Sequence, residues 1–301
     1  MLQRLFRIIA GVLGVLTALL ILLSLPALFS KQGSISFQPA VFWDKLLALA
    51  KQLLHPEKLE YASSMQRIGE LPRMFPLFPN VWEPYMYSFA LLAAAFVSAL
   101  LLASCLAYVY VLISKRWKGT IQAVMFVLES TPDMMILICS QMFFIWLLRQ
   151  TGWMPFHILA FGDKKAYALP IICLTILPTV QLFRMFVLCL AEESSKPYVE
   201  TARGKGMSSA YIVRMHLFRN VWIHLLHHAK TISLFLISNL LVLEIVFNIP
   251  GIMRFLVRTY AGAPAVTFAV LLLIFAPFFL FFLGSSCIAK RFSGESGAAK
   301  P

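Results

Sequence analysis

The segment "YVETARGKGMSSAYIVRMHLFRN", residues Tyr198–Asn220, is polar and basic, yet it lies between two apolar runs that are each long enough to cross a bilayer. A plain connection between two such runs needs only about five residues. Gly206 can take the positive φ angle of a chain reversal, and Ser208 and Ser209 can cap a helix. These residues predict a short helix, a glycine turn and a second helix that leads into the next apolar run.

The residues alone leave two interpretations of this segment open. A short, rigid helix that projects from a membrane suits a groove on a soluble partner. The alternative is a loop that lies flat on the membrane surface. The distribution of charges and glycines is compatible with both.

The composition indicates that the surrounding solvent is lipid. The chain has 301 residues, of which 60% are hydrophobic and 13% are charged, and its mean hydropathy is +0.81. Soluble domains carry about 25% charged residues, and a soluble protein of this length could not bury so much apolar surface. The formal charge is +13, but no Lys/Arg run alternates with aromatics as in a nucleic-acid groove. The basic excess therefore indicates membrane lipid, and not nucleic acid, as a partner.

Six apolar runs predict an all-α membrane protein, because helices are the structures of this length that satisfy their own backbone in lipid. The first run follows Arg4 and Arg7. It is interpreted as a retained span and not as a cleaved signal peptide, since it exceeds a usual signal core and lacks a small-x-small site. The predicted spans are Phe6–Phe29, Tyr85–Ile113, Ile121–Leu148, Ala166–Leu190, Trp222–Phe247 and Ala265–Ile288.

Lysine and arginine are concentrated in the segments that share a side of the membrane with the N-terminus. By the positive-inside rule, both termini and the opening segment are expected to be cytoplasmic. The predicted organisation is an N-terminal transmembrane helix in residues 1–30, an extracytoplasmic segment in 31–84 and a core of five transmembrane helices in 85–291. The core contains a cytoplasmic loop at 191–220, and a disordered tail is expected at 292–301.

Within the extracytoplasmic segment, "VFWDKLLALAKQLLH", Val41–His55, has apolar residues at helical spacing with charged residues elsewhere around the helix. One interpretation is a helix that lies on the membrane surface or against the transmembrane bundle. The other is a docking surface for an external partner.

The cytoplasmic loop carries a motif that resembles a known family. Its residues Glu200-Thr201-Ala202-Arg203-Gly204-Lys205-Gly206 resemble the E-A-A-x-x-x-G motif of ABC importer permeases, with Thr201 in place of the middle alanine. The wider string "YVETARGKGMS…VRMHLFRN" is similar to the "YVxTARAKGL…RHALRN" pattern of the dipeptide, oligopeptide and nickel branch. The string "VLEIVFNIPGIMRFLV", Val242–Val257, is similar to that branch's "VxETVFxxPGLGRLL". The resemblance extends from about Tyr85 to Arg291, and the N-terminal third shows no match.

The resemblance implies a permease subunit of an ATP-driven importer in the bacterial cytoplasmic membrane, which forms half of a pathway for peptides or related solutes. The expected partners are a second permease subunit, usually a different chain, two cytosolic ATP-binding subunits and an extracytoplasmic solute-binding protein. ATP and Mg²⁺ would be used by the ATPase subunits, and this chain is expected to bind no cofactor and to catalyse no reaction. The resemblance implies that a coupling helix contacts the ATPase through Glu200, Thr201, Ala202, Arg203, Lys205 and Gly206. The chain has no G-x-x-x-x-G-K-[ST] phosphate loop.

Ionisable residues inside the predicted spans are expected to have a functional or structural role, because a charge at the bilayer centre costs at least about 2.5 kcal/mol. Glu129 and Asp133 are four residues apart and are expected on one face of the third span, with Pro132 kinking the helix between them. They are candidates for lining the pathway or, alternatively, for an internal ion pair, for instance with Arg184. Arg184 and Glu244 are also candidate lining residues. They occupy positions where the family shows Arg and Glu, so a structural network is the alternative for these two.

Two further hypotheses compete with the permease: a structural scaffold and an intramembrane metal-dependent enzyme. The enzyme would use the His216/His224/His228 region with Glu129 and Asp133. His224 and His228 have helical i, i+4 spacing, but no Glu follows the first histidine and no third ligand is near in sequence. The five cysteines all fall inside apolar runs without a C-x-x-C pair, so neither zinc nor disulfide chemistry is expected of them.

Overall fold

The computed structural model describes residues 2–30, 36–62, 73–152, 160, 165–259 and 263–293. Twelve α-helices and four short strands lie in these ranges. In chain order they are α1 Leu2–Ser24, β1 Phe29–Ser30, β2 Ser36–Phe37, α2 Pro39–Leu53, β3 Glu60–Ala62, β4 Met74–Pro76, α3 Leu77–Asn80, α4 Trp82–Leu112, α5 Lys115–Ser130, α6 Asp133–Thr151, α7 Ala168–Ser194, α8 Pro197–Gly204, α9 Ser209–Ile212, α10 Phe218–Val246, α11 Ile252–Thr259 and α12 Pro264–Ser293.

The chain forms two compact units, Met1–Met86 with Gly251–Ala276 and Tyr87–Pro250 with Pro277–Pro301. In the first unit, α2 packs against α1, and the helix predicted in Val41–His55 is present as α2. Two short antiparallel pairs, β1 with β2 and β3 with β4, accompany these helices. The all-α prediction missed these strands because each has only two or three residues, too few for an alternating pattern to be recognised.

An aromatic cluster joins the β3–β4 pair to α11 within the first unit. The Tyr61 ring meets the Phe255 ring edge to face with centroids 4.9 Å apart, and it lies 6.1 Å from the cross-strand neighbour Phe75. Burial raises the pKa of the Tyr61 phenol. Such aromatic pairs stabilise beyond their buried area, so they fix the short strands on α11.

The second unit is built around the antiparallel contact of α7 with α10. The Phe186 side chain is fully buried and packs on the rings of Phe218 and Trp222, at 5.8 and 5.9 Å between centroids. Helix α4 buries a stripe of alanines with four-residue spacing, and small residues of this kind are typical of contacts between membrane helices. They are Ala95, Ala99, Ala103 and Ala107. Ser98 of α4 lies 3.2 Å from Thr175 of α7, measured between hydroxyl oxygens.

Five described helical segments are long and apolar enough to cross a membrane. They are Ala10–Leu28, Trp82–Leu112, Asp133–Thr151, Ala168–Ser194 and Pro264–Gly284. The predicted third span, Ile121–Leu148, is wrong as a single helix, because α5 ends at Ser130 and α6 begins at Asp133. Thr131 and Pro132 are both extended, with ψ angles of 132° and 137°. Proline disfavours helical geometry in the residue before it, so the helix breaks here and does not merely kink.

Candidate functional site

The cytoplasmic loop predicted at 191–220 contains α8, whose sequence explains both of its ends. Lys196 is extended and precedes the helix, and Pro197 occupies the first helical turn, where its missing N–H costs nothing. Glu200 lies in the first turn and Arg203 in the last, which are the ends where the helix dipole favours each charge. The motif residues therefore form a helix of their own between α7 and α10.

Helix α8 has one apolar and one polar face. Val199 is completely buried and Ala202 is 8% exposed, three residues further along the same side. The other motif side chains are exposed to solvent: Glu200, Thr201, Arg203 and Lys205. The helix is thus held by a small apolar contact and presents a charged surface outward.

Gly206 ends α8 in a Schellman motif. Its φ angle is +77°, its N–H donates to the carbonyl of Arg203 at 2.9 Å, and the N–H of Met207 donates to the carbonyl of Ala202 at 3.3 Å. These are the two bonds that close a helix on a left-handed residue, a conformation that glycine adopts without strain. The predicted glycine turn is confirmed.

The second helix of the loop begins as the sequence predicts. The Ser208 hydroxyl accepts a hydrogen bond from the N–H of Tyr211 at 3.3 Å, so it caps α9. The chain then passes through a π-helical turn at Val213–Leu217 and continues as α10. The loop is therefore continuous with a long helix on its C-terminal side.

A buried carboxylate, which sequence reasoning missed, joins the base of α8 to both long helices. Glu193 is 3% exposed, and its oxygens accept hydrogen bonds from Lys196 Nζ at 2.5 Å, Tyr198 Oη at 2.9 Å and Asn220 Nδ2 at 2.8 Å. Asn220 Nδ2 also donates to Tyr198 Oη at 3.3 Å. Burial raises the pKa of the Tyr198 phenol, and its bond to the Glu193 carboxylate raises that pKa further. We name these four residues the Glu193 cluster.

We expect Gly206→Ala to destabilise the loop, because alanine in the left-handed conformation costs about 1–2 kcal/mol. Gly204→Ala is the matched control, since both glycines have open space around an added Cβ and only Gly206 has a positive φ. Tryptic cleavage of the folded protein within the loop should become about 5- to 30-fold faster for Gly206→Ala. The control should cleave no faster than the parent, because alanine is the better helix former. Equal cleavage rates for the two variants would contradict this role of Gly206.

The pathway candidates Glu129 and Arg184 form an ion pair that links α5 to α7. The Arg184 guanidinium donates to Glu129 Oε2 at 2.6 Å, and 62% of the Arg184 side chain and 36% of the Glu129 side chain are exposed. Both residues border a largely apolar cavity of about 300 Å³. An exposed ion pair contributes little to stability, about 0–1 kcal/mol. The position of this pair at the cavity therefore says more about its role than its contribution to stability does.

Asp133 does not share a helix face with Glu129, and the prediction that it does is wrong. The extended Thr131 and Pro132 separate α5 from α6, so the i, i+4 relation of a continuous helix does not apply. Asp133 starts α6 and borders a separate, small pocket that Cys173 of α7 and Asn239 of α10 also line.

Glu244 lies inside the helix packing of the second unit. It is fully buried in α10, and its Oε1 accepts a hydrogen bond from the Ser88 hydroxyl of α4 at 2.6 Å. Just beyond it, Asn248 ends α10 with a φ angle of +52° and the Ile249 N–H donates to the Glu244 carbonyl at 2.8 Å, a second Schellman closure. The positive φ explains the choice of Asn at residue 248, and the buried hydrogen bond from Ser88 is compatible with the structural-network interpretation of Glu244.

The enzyme hypothesis places a metal centre at residues of which only some lie in the part of the chain that the structure describes. No group of three His, Cys, Asp or Glu side chains there could hold a metal ion. His216 lies in the π-helical turn. The side chains of His224 and His228 fall outside the described part.

The chain matches the family described as binding-protein-dependent transport system inner membrane component over residues 95–292. Among curated proteins it is 32% identical over 107 residues to a Brucella abortus protein named as a peptide transport system permease, covering 36% of this chain and 34% of that one. It is 31% identical over 108 residues to the glutathione transport system permease protein of Escherichia coli K12, covering 36% and 35%. The matched segment thus spans about a third of the length of these relatives.

Solved structures share the fold at lower identity. An inward-facing MetNI methionine ABC transporter chain is matched with a TM-score of 0.52 and 20% identity, over 71% of this chain and 95% of that one. A chain of an amino acid ABC transporter with histidines is matched with a TM-score of 0.51 and 16% identity, over 72% and 94%. Because the family match includes most of the chain, both motif regions and helices α5 to α12, the protein belongs to the inner membrane components of binding-protein-dependent transport systems.

Proposed function

We propose that this chain is a permease subunit of an ATP-driven importer and that α8 is its coupling helix. The observation that carries the proposal is that α8 is amphipathic. Its apolar side is anchored by Val199 and Ala202, and its polar side exposes Glu200, Thr201, Arg203 and Lys205. A charged surface on a short, anchored helix can dock in a groove of a soluble ATPase and pass its movement to the membrane helices. Gly206 supports this role by closing the helix.

The proposed assembly contains a second permease chain of different sequence, two cytosolic ATP-binding subunits and an extracytoplasmic solute-binding protein. ATP and Mg²⁺ bind to the ATPase subunits and not to this chain. The family description and the names of the peptide and glutathione permeases support peptides or related small solutes as cargo. The words inner membrane component in the family description, together with the five long apolar helices of the described residues, support a multi-pass location in the bacterial cytoplasmic membrane.

The proposed topology has six spans and both termini in the cytoplasm. Helix α10 provides the sixth span, in addition to the five apolar segments. Its 29 residues extend about 43 Å, which is enough to cross a hydrocarbon core of about 30 Å. In this topology α6 replaces the predicted third span, and the loop with α8 faces the cytoplasm. The concentration of Lys and Arg in the N-terminal, loop and C-terminal segments supports this orientation.

We expect Glu200→Arg to reduce co-purification of the ATPase subunits at least about tenfold, equivalent to about 1.4 kcal/mol of binding free energy. The reversed charge replaces an attraction at a docked surface with repulsion. Glu192→Arg is the matched control, because Glu192 is also exposed but precedes α8. Normal co-purification and transport by Glu200→Arg would overturn the assignment of α8 as coupling helix.

The cavity beside Glu129 and Arg184 is proposed to belong to the solute pathway. Single cysteines at Gln122 and Glu129, which line the cavity, are expected to react with a membrane-impermeant maleimide in the reconstituted protein. Val127→Cys is the control, since Val127 is 63% exposed on the other side of α5 and does not line the cavity. These variants need a background without the five native cysteines. Labelling of Val127→Cys as fast as Glu129→Cys would argue against a separate water-filled pathway at this face.

A further inference from the structure

The Glu193 cluster connects three helices through one carboxylate. Glu193 belongs to α7, Tyr198 to α8 and Asn220 to α10, and Lys196 lies in the turn between α7 and α8. Their donor atoms lie 2.5–2.9 Å from the Glu193 oxygens. The base of α8 is therefore tied to both neighbouring helices at the same point.

Helix stability does not explain an acidic residue at this position. Glu193 lies in the last turn of α7, where the negative end of the helix dipole disfavours a carboxylate. Burial adds a desolvation cost, which is offset only while the partners remain in place. The Glu193 carboxylate therefore opposes any movement of α8 that is not shared by α7 and α10, because such a movement would leave a buried charge without its donors.

We propose that Glu193 is a positioning residue that makes α8, α7 and α10 move as one body. When an ATPase displaces α8, the cluster passes the displacement to both long helices and not to a flexible loop. This inference rests on the proposed role of α8 as coupling helix. It adds that the efficiency of coupling depends on the carboxylate at residue 193, which lies outside the family motif.

The test measures whether movement of the ATPase subunits reaches the membrane helices, and it does not require the transported solute to be known. The complex with its ATPase subunits is reconstituted in liposomes, in a background without native cysteines and with Gln122→Cys at the cavity of α5 and α7. The labelling rate of this cysteine with a maleimide is measured with ATP and orthovanadate and without nucleotide, and the ratio of the two rates reports the conformational change. ATP hydrolysis and the amount of assembled complex are measured on the same samples.

We expect Glu193→Gln to bring the labelling ratio closer to one. The equilibrium constant of the nucleotide-dependent conformational change should fall roughly fivefold or more, while ATP hydrolysis and assembly persist. Asn220→Asp should act similarly, because it places two carboxylates in one cluster. The double variant Glu193→Gln with Asn220→Asp has one carboxylate and one amide again, and it should recover part of the ratio. Glu192→Gln, the same substitution at the exposed neighbour, should leave the ratio unchanged.

The outcomes separate the inference from the proposed function. An unchanged ratio in both single variants would overturn the positioning role of Glu193 while leaving α8 as the coupling helix. A parent complex that shows no nucleotide-dependent ratio, or no bound ATPase, would contradict the proposed function itself. A fall in assembly and hydrolysis together, without recovery in the double variant, would show that the cluster only stabilises the fold and would also overturn the inference.

Discussion

Ala202→Glu is expected to detach α8 from the rest of the loop and to eliminate the proposed assembly with ATPase subunits. Ala202 is 8% exposed and shares the buried side of α8 with the fully buried Val199. Among the described residues of this eight-residue helix, these two side chains are the buried ones, and they hold the helix in place. An uncompensated buried charge costs about 3–5 kcal/mol, and a helix of this length has little stability of its own to offset that cost.

The matched control is Thr201→Glu, which adds the same charge one residue earlier on the exposed face. Its effect on stability should stay within about 0.5 kcal/mol, as for most surface substitutions. Tryptic cleavage of the loop would be measured for both variants in membranes. Co-purification of ATPase subunits would be measured for Ala202→Glu, because Thr201 itself belongs to the proposed docking surface. Resistance of Ala202→Glu to trypsin at the level of Thr201→Glu would show that the buried face of α8 does not anchor the helix.

The loop could be predicted in detail because its signals are local. Gly206, Ser208 and the basic residues act on neighbours within a few positions, so their roles as C-cap and N-cap follow from sequence spacing. The long apolar runs behave in the same way, since span length and hydropathy are properties of a single segment. The structure therefore places α8, the turn and most of the long apolar helices where the sequence predicts them.

The Glu193 cluster could not be predicted, because its geometry depends on how separate helices pack. "AEESSKPY" reads as an ordinary exposed segment after a span, and Asn220 lies 27 residues beyond Glu193. Glu193 is buried while its neighbour Glu192 is exposed, and this difference depends on tertiary contacts such as those from Tyr198 of α8 and Asn220 of α10. The one available signal is an acidic residue in the last turn of a helix, which is unfavourable without a tertiary partner.

The break at Pro132 was partly predictable. The apolar run Ile121–Leu148 hides it, because hydropathy averages across a proline. The sequence before the proline indicates a separate helix, because α5 starts with Lys115, Arg116 and Lys118 and is less apolar than a span requires. The extended residues then rotate α6 relative to α5, which separates Glu129 from Asp133. Glu129 instead meets Arg184, the partner considered as the alternative.

Glu244→Ala is expected to destabilise the second unit by about 2–5 kcal/mol, since it removes a fully buried side chain and leaves a cavity. It also removes the acceptor of the Ser88 hydroxyl, which lies 2.6 Å from Glu244 Oε1. Ser88→Ala should cost less, about 1–3 kcal/mol, because it removes one donor from a buried acceptor. Glu244→Gln keeps the volume and an oxygen acceptor for Ser88, so it should be the mildest of the three.

Thermal unfolding of the detergent-solubilised protein, followed together with solute uptake, distinguishes the two interpretations of Glu244. If Glu244 belongs to a structural network, uptake should fall in the same order as stability, with Glu244→Gln close to the parent. If Glu244 instead contacts the solute, Glu244→Gln should unfold normally and still lose uptake, because the amide lacks the charge. The hydrogen bond from Ser88 and the complete burial of Glu244 favour the first outcome, since a residue without solvent exposure in α10 cannot reach a passing solute unless the packing of α4 against α10 opens.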